Sequence, residues 1–478
     1  MTYANLIGGE WVHGAEAAPN VNPSDTNDVV GEYDRASVEQ VRDAIAAARQ
    51  ASHAWARTTP QQRADLLDKV GNDILARRAE LADLLAREEG KTLAEAGGEV
   101  GRAGQIFKFF AAEALRVPGE RLPSIRPGIE VEISREPLGV VGLITPWNFP
   151  IAIPSWKTAP ALAYGNCVVL KPADLTPGCA WALADIIHRA GFPPGVFNLV
   201  MGRGSVVGEV LTSDPRIDAI SFTGSVAVGR GVLEKASKSA IKVQLEMGGK
   251  NPLVVLADAN LEVAARSALD GAYFSTGQRC TASSRLIVEE AIHDRFVGAL
   301  TDAIRKQVVD DARKQGTTIG PVVSEPQLEQ DQRYIGIGQK EGAKLVIGGE
   351  RLNREKPGFY MAPALFADTR NDMQINREEI FGPVASVIRV RDYEEALSVA
   401  NDTPFGLCAG ICTQSLKHAN HFRRNVEAGM VMVNLPTAGV DYHVPFGGRK
   451  GSSYGQREQG RYAAEFYTIV KTAYVNPA

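Results

Sequence analysis

Cysteine is scarce. Five occur in 478 residues (Cys167, Cys179, Cys280, Cys408 and Cys412), an odd number without the spacing of a zinc site. That excludes a disulfide framework and leaves a reducing compartment as the expected setting. Charge of one sign is lacking too. Lys and Arg number 52 against 56 Asp and Glu, a formal net charge of -4, so there is no electrostatic footprint for nucleic acid or an anionic membrane. No stretch approaches the roughly 18–20 uncharged apolar residues of a membrane helix. The opening MTYANLIGGEWVHG has no basic segment followed by an apolar one, as a secretory signal would. A cytoplasmic protein with a small-molecule partner, no nucleic acid and no membrane is expected.

A G-x-G-x-x-G turn is also missing. The nearest run, Gly202, Gly204 and Gly208 in GRGSVVG, has one residue too many between the last two glycines and reads as a tight loop. A G-x-S-x-G match at Gly451, Ser453 and Gly455 fails as an esterase elbow, because the last histidine, His443, lies upstream of the serine. His418 and His421 share helical spacing, but no further ligands surround them, so no metal is expected.

What is present is an ordinary globular composition, 44% apolar and 23% charged, on a chain long enough for two or three domains. The first hundred residues read as mostly helical. Ser37 and Gln40 form a capping box, and Leu66, Leu67, Val70, Ile74 and Leu75 recur on one helical face after Pro60. IEVEISRE (129–136), between Pro127 and Pro137, reads as a strand. From Leu138 short apolar runs (LGVVGLI, NCVVLK, VFNLV, DAISF, VQLEM) alternate with helical patterns, as in βαβ units of a parallel sheet. A second series follows from Asn251, with NPLVVL, SRLIVEE, KLVIGG, PVASVIRV and MVMVN as strands. FYTIVKTAYV (466–475) reads as a C-terminal strand, paired with 129–136 and with a partner subunit.

Four cysteines sit in apolar contexts, whereas Cys280 lies in the polar loop STGQRCTASSR, where the adjacent Arg279 would favour a thiolate. An ordinary loop cysteine is the competing reading. Glu246 closes an apolar strand ahead of Gly248 and Gly249, where parallel sheets place reactive groups; taken alone it could equally be a salt-bridged surface residue. Asn148 follows a strand in LITPWNFP and could donate to an oxyanion or simply fill a turn. Gly224 and Ser225 join a strand to a helix, a seat for a pyrophosphate.

Together, TPWNFP (145–150), VVLKPAD (168–174), FTGS (222–225), LEMGGKNP (245–252), GQRC (277–280), EEIFGP (378–383) and PFGGRKGS (445–452) resemble, in order and separation, the aldehyde dehydrogenase superfamily along essentially the whole chain. The resemblance implies an α/β fold with a Rossmann-like cofactor domain (1–118 and 138–248), an α/β catalytic domain (249–448) and a β-strand oligomerisation arm (119–137 and 449–478) of a homodimer or homotetramer. It implies Cys280 as nucleophile, Glu246 as general base, and Asn148 with the Cys280 N–H as oxyanion hole. Trp147, Lys171, Asp174, Gly224, Ser225, Glu379 and Phe381 would line the cofactor, NAD or NADP. Asp174 near the ribose 2′ position would disfavour the NADP phosphate, a lean towards NAD.

The tail resembles 2-oxoglutarate semialdehyde (2,5-dioxopentanoate) dehydrogenases, and Arg279 or Arg285 would meet a substrate carboxylate. Trp156 matches broad-specificity members acting on aliphatic or aromatic aldehydes, which stands as the alternative. A CoA-acylating enzyme would generally lack the glutamate at 246. A non-catalytic structural homologue would have no need of Cys280, Glu246 and Asn148 together.

Overall fold

The computed structural model describes residues 2–477. The N-terminal expectation needs correction, because residues before Ser37 form strands rather than helices. Thr2–Tyr3, Glu16–Val21 and Val29–Arg35 make a small sheet. Asn5–Ile7 and Glu10–Val12 form a hairpin whose turn, Gly8-Gly9, uses positive φ at both residues. Four helices follow, Val38–Ala56, Pro60–Ala76, Arg78–Glu89 and Leu93–Glu113. The first, second and fourth start with complete capping boxes at Ser37, Thr59 and Thr92.

The larger sheet has eight strands. Its parallel centre is Phe197–Leu199, Cys167–Lys171, Val140–Ile144, Ala219–Thr223 and Lys242–Glu246, in that spatial order. Nearly every side chain in these strands is buried, which explains their continuous apolar sequence. From Val140–Ile144 the chain first builds outward on one side, then returns to build on the other. The strand order therefore reverses beside Val140–Ile144, and the crevice beyond the strand ends there is where such sheets bind ligands. Asn148 follows one flanking strand and Gly224 the other.

A second sheet runs Lys344–Ile347, Ala364–Thr369, Val384–Val390, Arg285–Glu289, Pro252–Val255, Cys408–Cys412 and Met430–Val433, parallel except for its first pair. A third sheet pairs Thr468–Val475 antiparallel with Glu130–Pro137, which also pairs with Glu120–Pro123. Ile469, Val470 and Tyr474 are each more than half exposed on it.

Two boundaries differ from the sequence reading. Residues 449–467, grouped with the arm, pack on the body: Ser453–Tyr454 adds antiparallel to Lys242–Glu246, and Phe466 and Tyr467 are buried in the first core. GRGSVVG is a helical turn over Gly204–Gly208 leading into Glu209–Ser213, not a loop. Among the described residues no helix is long and apolar enough to cross a membrane.

Candidate active site

Cys280 lies between the Leu261–Tyr273 helix and the Arg285–Glu289 strand. The approach is strained. Ser275 and Thr276 hold φ of 52° and 56°, followed by Gly277 at 69°. Left-handed non-glycine residues cost of order 1–3 kcal/mol each and persist only where surroundings hold them. Here the Ser275 N–H donates to Glu95 Oε1 (2.6 Å) and Thr276 Oγ1 to the Gly320 carbonyl (3.1 Å). Cys280 is half-buried; the other four cysteines are buried.

Two cavities meet at this residue. One, of about 350 Å³, is lined by Trp147, Asn148, Gly224, Ser225, Gly248, Glu379 and Phe381 as well as Cys280. The other, of about 300 Å³, is lined by Glu99, Arg102, Phe149, Trp156, Glu246, Phe274, Arg279, Phe446 and again Cys280. The thiol thus borders both.

Asn148 is clamped from two directions. Its Nδ2 donates to the Gln278 carbonyl (2.9 Å), leaving the second amide hydrogen without a partner among the described residues, and its backbone carbonyl accepts from Lys91. Lys91 is held by Glu99 (2.9 Å), whose other oxygen accepts from the N–H groups of Ile151 and Ala152. The Cys280 N–H makes no hydrogen bond to another residue among those described. Two donors thus remain near the sulfur.

Glu246 ends its strand and is buried. Ser453 donates to one oxygen (2.6 Å), while the other has no partner among the described residues. Burial, then the nearby Glu458 carboxylate, raises its proton affinity well above the carboxylate range. Ser453, rejected as an esterase nucleophile, therefore sits on the Glu246 carboxylate. The Cys280 thiol is pushed up to about 12 by burial, then by Glu379 and Glu246, with Arg279 opposing. Arg279 therefore does not make a thiolate of the resting thiol as expected: desolvation outweighs its charge.

On the first cavity's wall, the Trp147 and Phe381 rings meet edge to face at 5.3 Å, and Phe381 itself holds a left-handed φ of 67°. Glu379 accepts from the Gly249 N–H (2.8 Å), and burial pushes its carboxyl up to about 7. Ser225 caps the Val226–Lys238 helix, whose N-terminus faces the cavity, but the Gly224 N–H is committed to the Glu246 carbonyl (3.1 Å). Lys171 ends its strand, donates to the Pro172 carbonyl and is lowered to about 8 by burial. Asp174 is not a free negative charge: Arg35 grips both its oxygens, at 2.7 and 3.2 Å.

On the second cavity's wall, Trp156 Nε1 donates to Glu458 (2.8 Å), which also pairs with Lys157 and accepts from Ser221. Arg285 is corrected. It is fully buried and donates to the carbonyls of Lys250, Val399 and Ala400 and to Asn371, so it fastens the start of its strand to residues flanking the second sheet and lines neither cavity. Arg279 lines the second cavity, with Nη2 tied to the carbonyls of Asp270 and Gly271. Sequence reasoning missed Lys91, Arg102, Lys157, Ser453 and Glu458. Only the Trp156–Lys157 dipeptide carried a visible signal, a charge inside an apolar helix.

An N-terminal helix seat, an aromatic wall and a buried carboxylate bordering a thiol suit a nicotinamide nucleotide on one side and a carbonyl substrate on the other. The aldehyde dehydrogenase family profile matches residues 11–473. An alpha-ketoglutaric semialdehyde dehydrogenase of Bacillus subtilis is 44% identical, covering 100% of this chain and 98% of that protein. An alpha-ketoglutarate semialdehyde dehydrogenase of Haloferax volcanii is 43% identical over 98% of each chain. The crystal structure of an NAD-dependent aldehyde dehydrogenase from Sinorhizobium meliloti superposes with a TM-score of 0.97 at 40% identity, covering 100% of this chain and 95% of that one. The chain belongs to the aldehyde dehydrogenase family, oxidoreductases that use NAD or NADP.

Proposed function

We propose that the protein oxidises 2-oxoglutarate semialdehyde (2,5-dioxopentanoate) to the dicarboxylic acid, through a thioester on Cys280. The observation that carries this reading is the meeting of two cavities at one thiol. The relatives named for the same substrate, similar along the whole chain, support the choice of aldehyde.

The Cys280 thiol loses its proton as its sulfur bonds to the aldehyde carbon. Glu246 and Glu379, whose charges act on the sulfur, are the acceptors at hand. The carbonyl oxygen becomes an oxyanion, met by the free Asn148 amide hydrogen and the Cys280 N–H. Such donors are each worth about 2.7–4 kcal/mol at the transition state. The first cavity fits a nicotinamide nucleotide, with Ser225 and the helix N-terminus toward phosphate, Glu379 toward ribose, and Trp147 and Phe381 as walls. Lys171 and Asp174 would hold the adenosine ribose. A nicotinamide held there would supply the acceptor for the hydride that leaves the carbon bonded to Cys280. Cys280 then carries the acyl group. Glu246, once ionised, takes a proton from water, whose oxygen displaces the sulfur and releases the acid.

NAD is proposed as the main acceptor. Because Arg35 neutralises Asp174, NADP is admitted as well. The test is kcat/KM for a panel of plain and ω-carboxylated aldehydes with both cofactors. The five-carbon oxo-semialdehyde with NAD should rank first; equal values for plain and carboxylated aldehydes would overturn the substrate assignment.

A further inference from the structure

We propose that Arg102, seconded by Gln459, receives the distal carboxylate of the substrate in the cavity behind Cys280, an inference that rests on the semialdehyde reading above. Arg102 lies on the Leu93–Glu113 helix, outside the seven segments that carry the family resemblance. Three cations line the cavity: Lys91, Arg102 and Arg279. Lys91 is committed to Glu99 and to the Asn148 carbonyl, and Arg279 is pinned by two backbone carbonyls beside the nucleophile.

Arg102 is tied to no backbone group. Among the described residues it forms no ion pair, and its one hydrogen bond runs from Nη2 to Gln459 Oε1 (2.9 Å). Its Nε is buried without a partner among them, as is that of Arg279, but Arg279 is anchored through Nη2 by two carbonyls and Arg102 by none. Gln459 is fully buried, holds a left-handed φ of 61°, and its Nε2 is also buried without a partner. Buried donors are paired in nearly all folded proteins, because an unmade hydrogen bond there is costly. Arg102 lines the cavity with Gln459 bonded to it from behind, so the guanidinium is the group that meets an anion there, and a planar carboxylate matches its fork.

The surroundings fit the rest of such a substrate. The Arg102 guanidinium packs over the Trp156 ring at 5.6 Å, and Trp156 is itself fixed by Glu458. Phe149, Ile153, Phe274 and Phe446 supply apolar wall for the carbon chain between carboxylate and aldehyde. Of the acids in the cavity, Glu99 is held by Lys91 and two backbone N–H groups, Glu95 by Thr92 and Ser275, and Glu246 by Ser453. None pairs with Arg102.

The test compares wild type, Arg102→Met and Arg102→Lys on 2,5-dioxopentanoate and pentanal. In Arg102→Met the ratio of kcat/KM, carboxylated over plain, should fall about 10- to 100-fold, the range of a charged hydrogen bond, chiefly through KM. Arg102→Lys should recover part of it. Without cofactor or turnover, glutarate should slow alkylation of Cys280 by iodoacetamide in wild type and fail to do so in Arg102→Met. If Arg102→Met misfolds, the glutarate comparison of Arg102→Lys with wild type decides, equal protection counting against the anchor. A wild type that prefers the semialdehyde while Arg102→Met keeps that preference overturns the anchor and leaves the substrate assignment intact. A wild type with no preference removes both.

Discussion

At Asn148 one amide hydrogen is fixed on the Gln278 carbonyl and the other is left for chemistry, while Lys91 and Glu99 hold the backbone around it. A donor positioned before reaction need not reorganise as charge develops, which is why such groups weigh on kcat more than on KM. Asn148→Ala should therefore lower kcat about 10²- to 10³-fold with KM changed only a few-fold, measured by initial rates of NADH formation. A loss below about 5-fold would remove Asn148 from the oxyanion site. At this scale, legibility in sequence was uneven. Cys280, Glu246 and Asn148 stand in polar or strand-ending contexts unlike their surroundings. Arg285 looked equivalent to Arg279 because sequence distance from the nucleophile says nothing of direction, and its strand turns it into backbone carbonyls. Ser453 and Glu458 come from a segment about 200 residues downstream of Glu246, a proximity that only the Ser453–Tyr454 pairing creates.

Among elements, the parallel strands were readable because burial on both faces makes them continuous apolar runs bounded by glycine and proline. The N-terminal strands were not. They are only two to seven residues long, and helix-like composition beyond Ser37 dominates the reading, although Gly8-Gly9 between two short apolar stretches is a hairpin signal. The end of the Lys242–Glu246 strand shows what an element contributes to the site. The chain leaves Glu246 through Gly248 and Gly249, and a Cβ on Gly248 would overlap the Glu379 carboxylate. Gly248→Ala should displace Glu379 from the cofactor cavity. Overpacking of this kind costs about 1–3 kcal/mol, so the Kd for NAD should rise roughly tenfold, read by titration calorimetry. An unchanged Kd would mean that Glu379 plays no part in holding the nucleotide.

Across the whole molecule, the two sheets and the N-terminal helices converge so that one sulfur closes both cavities. Helix Leu93–Glu113 and residues 438–446 line the acyl side; residues 146–148 and 223–225, at the strand ends, line the other. The central claim is that substrate carbon passes through a covalent state on Cys280 and leaves it by way of Glu246. Because burial raises the Glu246 carboxyl, it acts as a base only after losing its proton, so thioester hydrolysis in the wild type should speed up as pH rises through that raised value. The most direct measurement mixes Glu246→Gln with aldehyde and NAD, recording NADH on the millisecond scale and the intact mass of the quenched protein. The account predicts a single burst of NADH with an acyl adduct retained on Cys280. Sustained turnover at the wild-type rate with no adduct would contradict it.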